Sequence, residues 1–353
     1  MKLVVGLDEI SDADTGRVGG KAVALATLHH SAVTVPPSWC LTTEAYERFV
    51  DQAGLRAVLH QELGRKSFSD MRWEELWDAA LRIRNRFLRA SIPREVVAQI
   101  EAHLLGELSN CRLVVRSSAP GEDSAETSFA GLHDSFVGVR GLEATCQAIQ
   151  EVWASLWTDR ALLYRRELGI DVDASSMAVI LQRLIEGSSS GIGFGAHPID
   201  PELVAVEAVY GLNQGLVDGT IEPDRWSLHR RTARLVEHVS PKERRQLVFR
   251  GSETEVEPLS KEQESSPPLS HEELMEVHQA VLDAGQLFGA PQDVEWTLTD
   301  GKLVILQSRP VTTSNAAEGD RRAWYLSLTR SLPNLMALRD RVERELLPAM
   351  DRE

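Results

Sequence analysis

The sequence predicts an α+β protein of two lobes with a helical tail. Three observations lead there. Helical spacing dominates up to about residue 175; from Met177 the texture changes to β-rich runs broken by glycine, serine and proline; and the last 34 residues return to a helical period. The corresponding divisions are residues 1–175, 176–315 and 316–353. At 353 residues, the chain is long enough for a substantial core in each lobe.

Taken in order, residues 2–6 read as a short strand. Gly19-Gly20-Lys21 opens a helix, with Ala22, Leu25 and Leu28 at helical spacing. Pro36-Pro37 breaks the chain, Trp39-Cys40-Leu41 extends it, and Thr42 or Thr43 begins a helix carrying Tyr46, Phe49 and Val50. Helical patterns fill residues 73–105 and 142–168. Between them lies the apolar run 112–116, and residues 134–139 form its expected hairpin partner. In the second lobe, "MAVILQRLI", "GIGFGA" and "LVAVEAV" are strands, and the polar stretch 253–269 is expected as a surface loop. Ser270 and Glu273 make a capping box for a helix ending near Phe288, and the strands "QDVEWTL" and "KLVILQSRP" finish the lobe. In the tail, Leu332, Leu335, Leu338, Val342 and Leu346 recur every three or four residues. This amphipathic helix either folds back on the core or docks a partner.

Composition narrows the function. A net charge of −15 argues against a broad nucleic-acid-binding face but leaves room for a small cationic pocket around one phosphorylated ligand. Cys40, Cys111 and Cys146 are few, scattered and without metal spacing, which fits a reduced, cytoplasmic setting. The N-terminus reads as no signal peptide, and no apolar run reaches about 18 residues.

Four segments carry possible chemistry. In the last hairpin, strand alternation puts Asp293 with Glu295 on one face, and Gln307 with Arg309 on one face of the returning strand. Whether the pairs meet depends on the turn. A two-residue Asp300-Gly301 turn sets residue 295 opposite 306 and sends Gln307 to the wrong face, whereas a three-residue Thr299-Asp300-Gly301 loop sets 293 opposite 307. Converged, two carboxylates and an amide oxygen beside a guanidinium suit a magnesium–phosphate site. Taken alone, the hairpin is more simply a salt-bridged, solvated strand face. Lys21 adds a point charge to the anion-attracting start of its helix. Arg116 ends an apolar strand and leads into a loop whose Ser117, Ser118, Ser128, Gly131 and Ser135 are small enough to cover phosphates. In "LQRLIEG" (181–187), a strand edge flanked by Leu and Ile offers the C=O and N–H that adenine needs, though an ordinary buried strand reads the same way.

In this order, these segments resemble the ATP-binding domain of the phosphoenolpyruvate synthase/pyruvate phosphate dikinase family, which has an ATP-grasp fold. The resemblance is carried by "VGGKAVALATL" (18–28), "VPPSWCLTTEAYERF" (35–49) and "LVVRSSAPGEDSAETSFAGLHDSFVGVRG" (113–141). It continues through "MAVILQRLIEGSSSGIGFGAHP" (177–198), "VAVEAVYGLNQGLVDGTIEPDRW" (204–226) and "GAPQDVEWTLTDGKLVILQSRPVT" (289–312). It implies that Lys21 and Arg116 bind the ATP phosphates and that Gly131 and Ser135 belong to a loop closing over them. Gln182, Arg183, Leu184 and Ile185 would line the adenine pocket, Glu295 and Gln307 would hold Mg²⁺, and Arg309 would meet a phosphate. Lys21, Arg116 and Arg309 are the catalytic set so implied. The chain departs from the family at Ala119-Pro120-Gly121-Glu122-Asp123, at Leu132 and at Gly195-Ala196-His197, none of which is an implied phosphate or metal contact.

Relatives of this kind transfer the β-phosphoryl of ATP to a histidine on a swivelling domain, releasing AMP and phosphate. No segment here matches that carrier; His29-His30-Ser31 ends the Lys21 helix. The resemblance therefore implies a phosphoryl-donor component working with a phosphohistidine-carrier and acceptor-binding subunit or domain. The span Met1–Glu353 is read as a naturally split subunit, such as the nucleotide-binding part of an aryl-phosphate synthase acting on phenolic compounds. The alternatives are a fragment of phosphoenolpyruvate synthase or of a rifampin-type antibiotic phosphotransferase, and a non-catalytic ATP sensor.

Overall fold

The computed structural model describes residues 2–311, apart from residues 67, 105–110, 122–132, 170–174, 198–199 and 252. It is a mixed helix-and-sheet protein built on two sheets. The first contains β1 (Val4–Gly6), β2 (Ser38–Leu41), β3 (Leu113–Ser118), β4 (Ser135–Val139) and β5 (Ala178–Arg183), in the spatial order β1-β2-β5-β3-β4, with every neighbouring pair antiparallel. The expected 112–116 strand and its 134–139 partner are thus β3 and β4.

Alternation along these strands sorts their side chains into two layers. Leu113, Val115, Val179 and Leu181 face one core, and Ala178 and Ile180 the other. Six helices cover the first face: α3 (Thr43–Gln52), α4 (Leu55–Leu63), α5 (Trp73–Arg89), α6 (Arg94–Leu104), α7 (Gly141–Ser155) and α8 (Asp159–Leu168). At its centre Phe49 stacks on Trp153 with ring centroids 4.9 Å apart, and the Trp157 indole N–H donates to the Tyr46 hydroxyl at 3.0 Å. Each such aromatic side chain, fully buried, contributes on the order of 2 kcal/mol, enough together to hold β3 rigidly. The second face is covered by α1 (Thr15–Val18) and α2 (Gly20–His30).

The second sheet runs β11-β10-β7-β6-β12-β13, with β8 on β7 and β9 on β8. Its strands are β6 (Ser189–Phe194), β7 (Leu203–Gly211), β8 (Asp224–His229), β9 (Leu235–Val239), β10 (Arg245–Arg250), β11 (Glu253–Pro258), β12 (Gln292–Thr299) and β13 (Lys302–Pro310). One long helix covers one face, and two short ones, α9 (Gln214–Val217) and α10 (Lys261–Ser265), lie in connections. The long helix, α11 (His271–Phe288), starts at the expected capping box. The Ser270 hydroxyl accepts from the Glu273 N–H at 3.2 Å, and the Glu273 carboxylate from the Ser270 N–H at 2.8 Å. Leu274, Val277 and Val281 of α11 bury Val294, Trp296 and Leu298 of β12, which leaves Asp293 and Glu295 on the face turned away from α11.

Three expectations need correction. Sheet membership divides the chain between Arg183 and Ser189 rather than at 175/176, because β5 pairs with β2 and β3. Residues 253–269 are not simply a loop: Glu253–Pro258 is an edge strand on β10, and Lys261–Ser265 a capped helical turn. Short polar edge strands carry no apolar alternation to betray them. Ser117 and Ser118 are the buried end of β3 rather than part of a phosphate-covering loop. The amphipathic tail at 316–353 lies outside the described residues.

The sheets are tied together near the future site. Leu28 of α2 enters the core beneath α11, and the Ile305 N–H of β13 donates to the Thr34 carbonyl at 2.9 Å. Further out, the Arg112 guanidinium lies 4.4 Å over the Phe249 ring and donates to the Gly251 carbonyl at 2.6 Å.

Candidate nucleotide–metal site

The first half of the site is the junction of α2 with the end of β3. Val114, Arg116 and Ser118 alternate with the core residues Leu113 and Val115, so they face α2. The Ser118 hydroxyl donates to the Val18 carbonyl at 2.7 Å and accepts from the Ala22 N–H at 3.2 Å, which pins the first turn of α2 onto the strand. That approach requires glycine at position 19. Its φ is +78°, and a Cβ there would sit 2.2 Å from the Ser118 carbonyl oxygen. Lys21 follows, its Nζ 3.4 Å from the Ser117 hydroxyl. A lysine and an arginine 95 residues apart in sequence thereby share one strand end.

The second half is the β12–β13 hairpin. Asp293 pairs with Arg309 and Glu295 with Gln307, so all four polar side chains converge. The way they do so corrects the expected loop. The turn is the two-residue one, with Thr299 paired to Lys302 and positive φ at both Asp300 (51°) and Gly301 (68°). On its own that turn would put Leu306 opposite Glu295. A bulge at Leu306 inserts the extra residue and returns Gln307 and Arg309 to the site face. The carbonyl of the bulged Leu306 then accepts a hydrogen bond from Gln182 Nε2 of the first sheet at 3.1 Å.

The halves meet at Arg116. Its Nη1 donates to Glu295 Oε2 at 3.1 Å and to Gln307 Oε1 at 2.9 Å, while Gln307 Nε2 donates to Glu295 Oε1 at 3.3 Å. Arg309 is held by Asp293, Nε to Oδ2, at 2.7 Å. Glu295 is buried, and burial, the largest single influence on it, pushes its carboxyl pKa up. The Arg116 charge foremost, then those of Arg309 and Lys21, outweigh that and leave it below the usual carboxylate range. Lys21 is the smallest of these three influences. Asn213, which the sequence reading did not single out, also enters: its Nδ2 lies 3.5 Å from Glu295 Oε2.

The remaining candidates are placed as follows. Ser135 opens β4 directly opposite Arg116. Gly131 lies outside the described residues. Gln182 is buried on the Arg116 face of β5. The N–H groups of Arg183 and Leu184 are taken by the carbonyls of Pro37 and Arg112, at 2.9 and 2.8 Å, so neither serves a base. That of Ile185 has no partner among the described residues.

This donor set fits a hard cation. One guanidinium nitrogen lies within hydrogen-bonding distance of both a Glu295 and a Gln307 oxygen, so two oxygen donors already point at one spot. Among the described residues, no three His, Cys, Asp or Glu side chains gather as an all-protein metal cage. A cation held by Glu295 and Gln307 would have room to take further oxygens from a bound phosphate, as in a magnesium–phosphate site.

An oxygen pair suited to a cation, with Arg116 between its members and Arg309 and Lys21 acting on the same carboxylate, is a donor set of the kind that takes a polyphosphate with its cation. Comparison with known sequences narrows this: the model of the pyruvate phosphate dikinase AMP/ATP-binding domain matches residues 15–327. The chain belongs to the phosphoenolpyruvate synthase/pyruvate phosphate dikinase family, as its N-terminal ATP-binding domain. It is 32% identical over 333 residues to a protein named probable phosphoenolpyruvate synthase from Methanocaldococcus jannaschii, covering 92% of this chain and 28% of that one. It is 34% identical over 316 residues to a rifampicin phosphotransferase from a Streptomyces species, covering 88% and 36%. A phosphoenolpyruvate synthase from Aeropyrum pernix is 31% identical over 348 residues, covering 88% and 42%. The chain thus spans less than half the length of these relatives. No described helix is long and apolar enough to cross a membrane.

Proposed function

We propose that this chain is the ATP-clasping, phosphoryl-donating component of a dikinase, with its two sheets acting as the lobes of an ATP-grasp fold. The β-phosphoryl group of ATP passes to a histidine outside these residues, on a further domain or a partner subunit, and AMP and phosphate are released. The observation that supports this most is Arg116 of the first sheet bridging Glu295 and Gln307 of the second.

In this reading Lys21, Arg116 and Arg309 bind and neutralise the phosphates, while β3 holds Arg116 rigid and Ser135 stands opposite it at the start of β4. Gln182 and the Ile185 N–H meet the base edge. Glu295 and Gln307 would hold Mg²⁺, which draws the phosphate oxygens together and spreads their negative charge. Catalysis is then positioning and charge neutralisation, worth several kcal/mol of barrier for each well-placed group.

The acceptor is set by the carrier side. Relatives named for phosphoenolpyruvate synthesis and for rifampicin phosphorylation match this domain about equally well, and a small phenolic acceptor on a separate partner is a third form of the same chemistry. The test supplies the chain with Mg²⁺, ATP labelled in the β-phosphoryl group and the carrier-bearing protein. AMP formation with label on a carrier histidine supports the reading, and the absence of both rejects it. Turnover unchanged by Glu295→Ala, in a complex that still responds to ATP, would instead favour an ATP-sensing role.

A further inference from the structure

Asn213 stands in the connection from β7 to α9, and only 8% of it is exposed. Backbone groups hold that connection in place. The N–H groups of Gly211 and Leu212 donate to the carbonyls of Ser188 and Leu247, each at 3.0 Å, and the Asn213 carbonyl accepts from Leu216 at 3.0 Å and Val217 at 3.1 Å. The Asn213 side chain takes no part in this and does not cap α9. Its Nδ2 reaches Glu295 Oε2, the same oxygen that Arg116 holds, and its Oδ1 is buried with no hydrogen-bond partner among the described residues. Burying an unpaired amide oxygen works against folding; Asn213 Oδ1 is one of several such atoms among the described residues, and its amide is distinguished by its contact with Glu295.

The chemistry of the surroundings selects that ligand. Asn213 Oδ1 is a neutral, hard acceptor on an amide already in contact with an ionised carboxylate, and the Gln307 oxygen converges on the same spot. The Glu295 and Gln307 oxygens meet at one spot, and the Asn213 amide reaches that same Glu295 oxygen through its nitrogen; with its oxygen turned there instead, three acceptors would repel an anion and suit a divalent cation. Turning the planar amide over, which exchanges the positions of its oxygen and nitrogen, brings Oδ1 to the place beside Glu295 that Nδ2 now holds.

We propose that Asn213 Oδ1 is a third protein oxygen ligand for the divalent cation, alongside Glu295 and Gln307. The inference rests on the reading that those two residues hold Mg²⁺.

The test uses Mn²⁺ in place of Mg²⁺, titrated into the full chain saturated with the β,γ-imido analogue of ATP, with free Mn²⁺ read by electron paramagnetic resonance. Asn213→Ala is expected to weaken Mn²⁺ binding about tenfold, while affinity for the analogue in EDTA stays at the wild-type value. Asn213→Asp, which keeps the shape and an oxygen at the same place, is expected to bind Mn²⁺ at least as tightly as wild type. It separates lost ligation from a folding defect. If Asn213→Ala keeps wild-type Mn²⁺ affinity while Glu295→Ala loses it, the Asn213 assignment is overturned and the Glu295 reading stands. If Glu295→Ala also binds normally, the metal site itself is misplaced. Weaker analogue binding by Asn213→Ala in EDTA would put the amide on a phosphate and equally overturn the proposal.

Discussion

Replacing Arg116 with alanine probes the joint between the two sheets. The Arg116 and Glu295 side chains are only 15% and 10% exposed, and their charges are 3.1 Å apart. At an effective dielectric constant near 20, such a pair attracts by roughly 4 kcal/mol, which offsets the cost of burying both charges. Removing one member of a buried pair costs about 3–5 kcal/mol because the other is left behind. Arg309 and Lys21 still act on Glu295, so about 3 kcal/mol is expected at pH 7 with EDTA present. The pH dependence follows from the sign. In the wild type, Glu295 has a folded pKa below its unfolded value, so its contribution is full above the unfolded pKa and is lost as pH falls through the folded one. In Arg116→Ala, burial dominates, the folded pKa rises above the unfolded value, and the ionised carboxylate opposes folding at neutral pH. The stability gap between the two proteins should therefore be widest at pH 7 and shrink towards pH 4. Adding Glu295→Gln to Arg116→Ala should recover about 2 kcal/mol at pH 7 by removing the stranded charge. Urea denaturation at both pH values measures this. A gap independent of pH, together with no recovery in the double variant, would show that Glu295 is not an ionised partner of Arg116.

Other substitutions test the remaining contacts. Lys21→Ala should weaken ATP binding about tenfold to a hundredfold, the worth of a charge-assisted hydrogen bond to phosphate, with the melting temperature unchanged; calorimetry and a thermal melt check the two halves. Gly19→Ala places a Cβ 2.2 Å from the Ser118 carbonyl at a positive φ, so it should lower the melting temperature and loosen ATP together, and a variant that melts and binds as wild type would contradict the α2 docking. Phe249→Ala removes the ring under Arg112 and opens space against Gly138. Hydrogen exchange should quicken across residues 245–258 while staying unchanged in β3.

Much of this was legible in the sequence because it is local. The Ser270–Glu273 capping box, the apolar strand that carries Arg116 and the alternation of Asp293 with Glu295 each depend on neighbouring residues. What sequence left open was decided at longer range. The face of Gln307 turned on a bulge at Leu306, where no glycine marks the extra residue; the bulge is explained by a carbonyl that meets Gln182, 124 positions away. The place of β5 in the first sheet follows from pairing with strands whose partners were already apolar and so gave no preference. Asn213 reads as an ordinary turn residue, and only the fold brings it to Glu295. The resemblance to the dikinase family gave Lys21, Arg116, Glu295, Gln307 and Arg309 a common purpose; the structure contributes their meeting in space.

The most direct test is calorimetric titration of the Mg²⁺ complex of the β,γ-imido ATP analogue into wild type, Lys21→Ala and Gln307→Ala. A single saturable site weakened at least tenfold by either change, one from each sheet, is the expected result. Binding that persists unchanged when either residue is removed, or none at all in the wild type, would contradict a site shared between the two sheets.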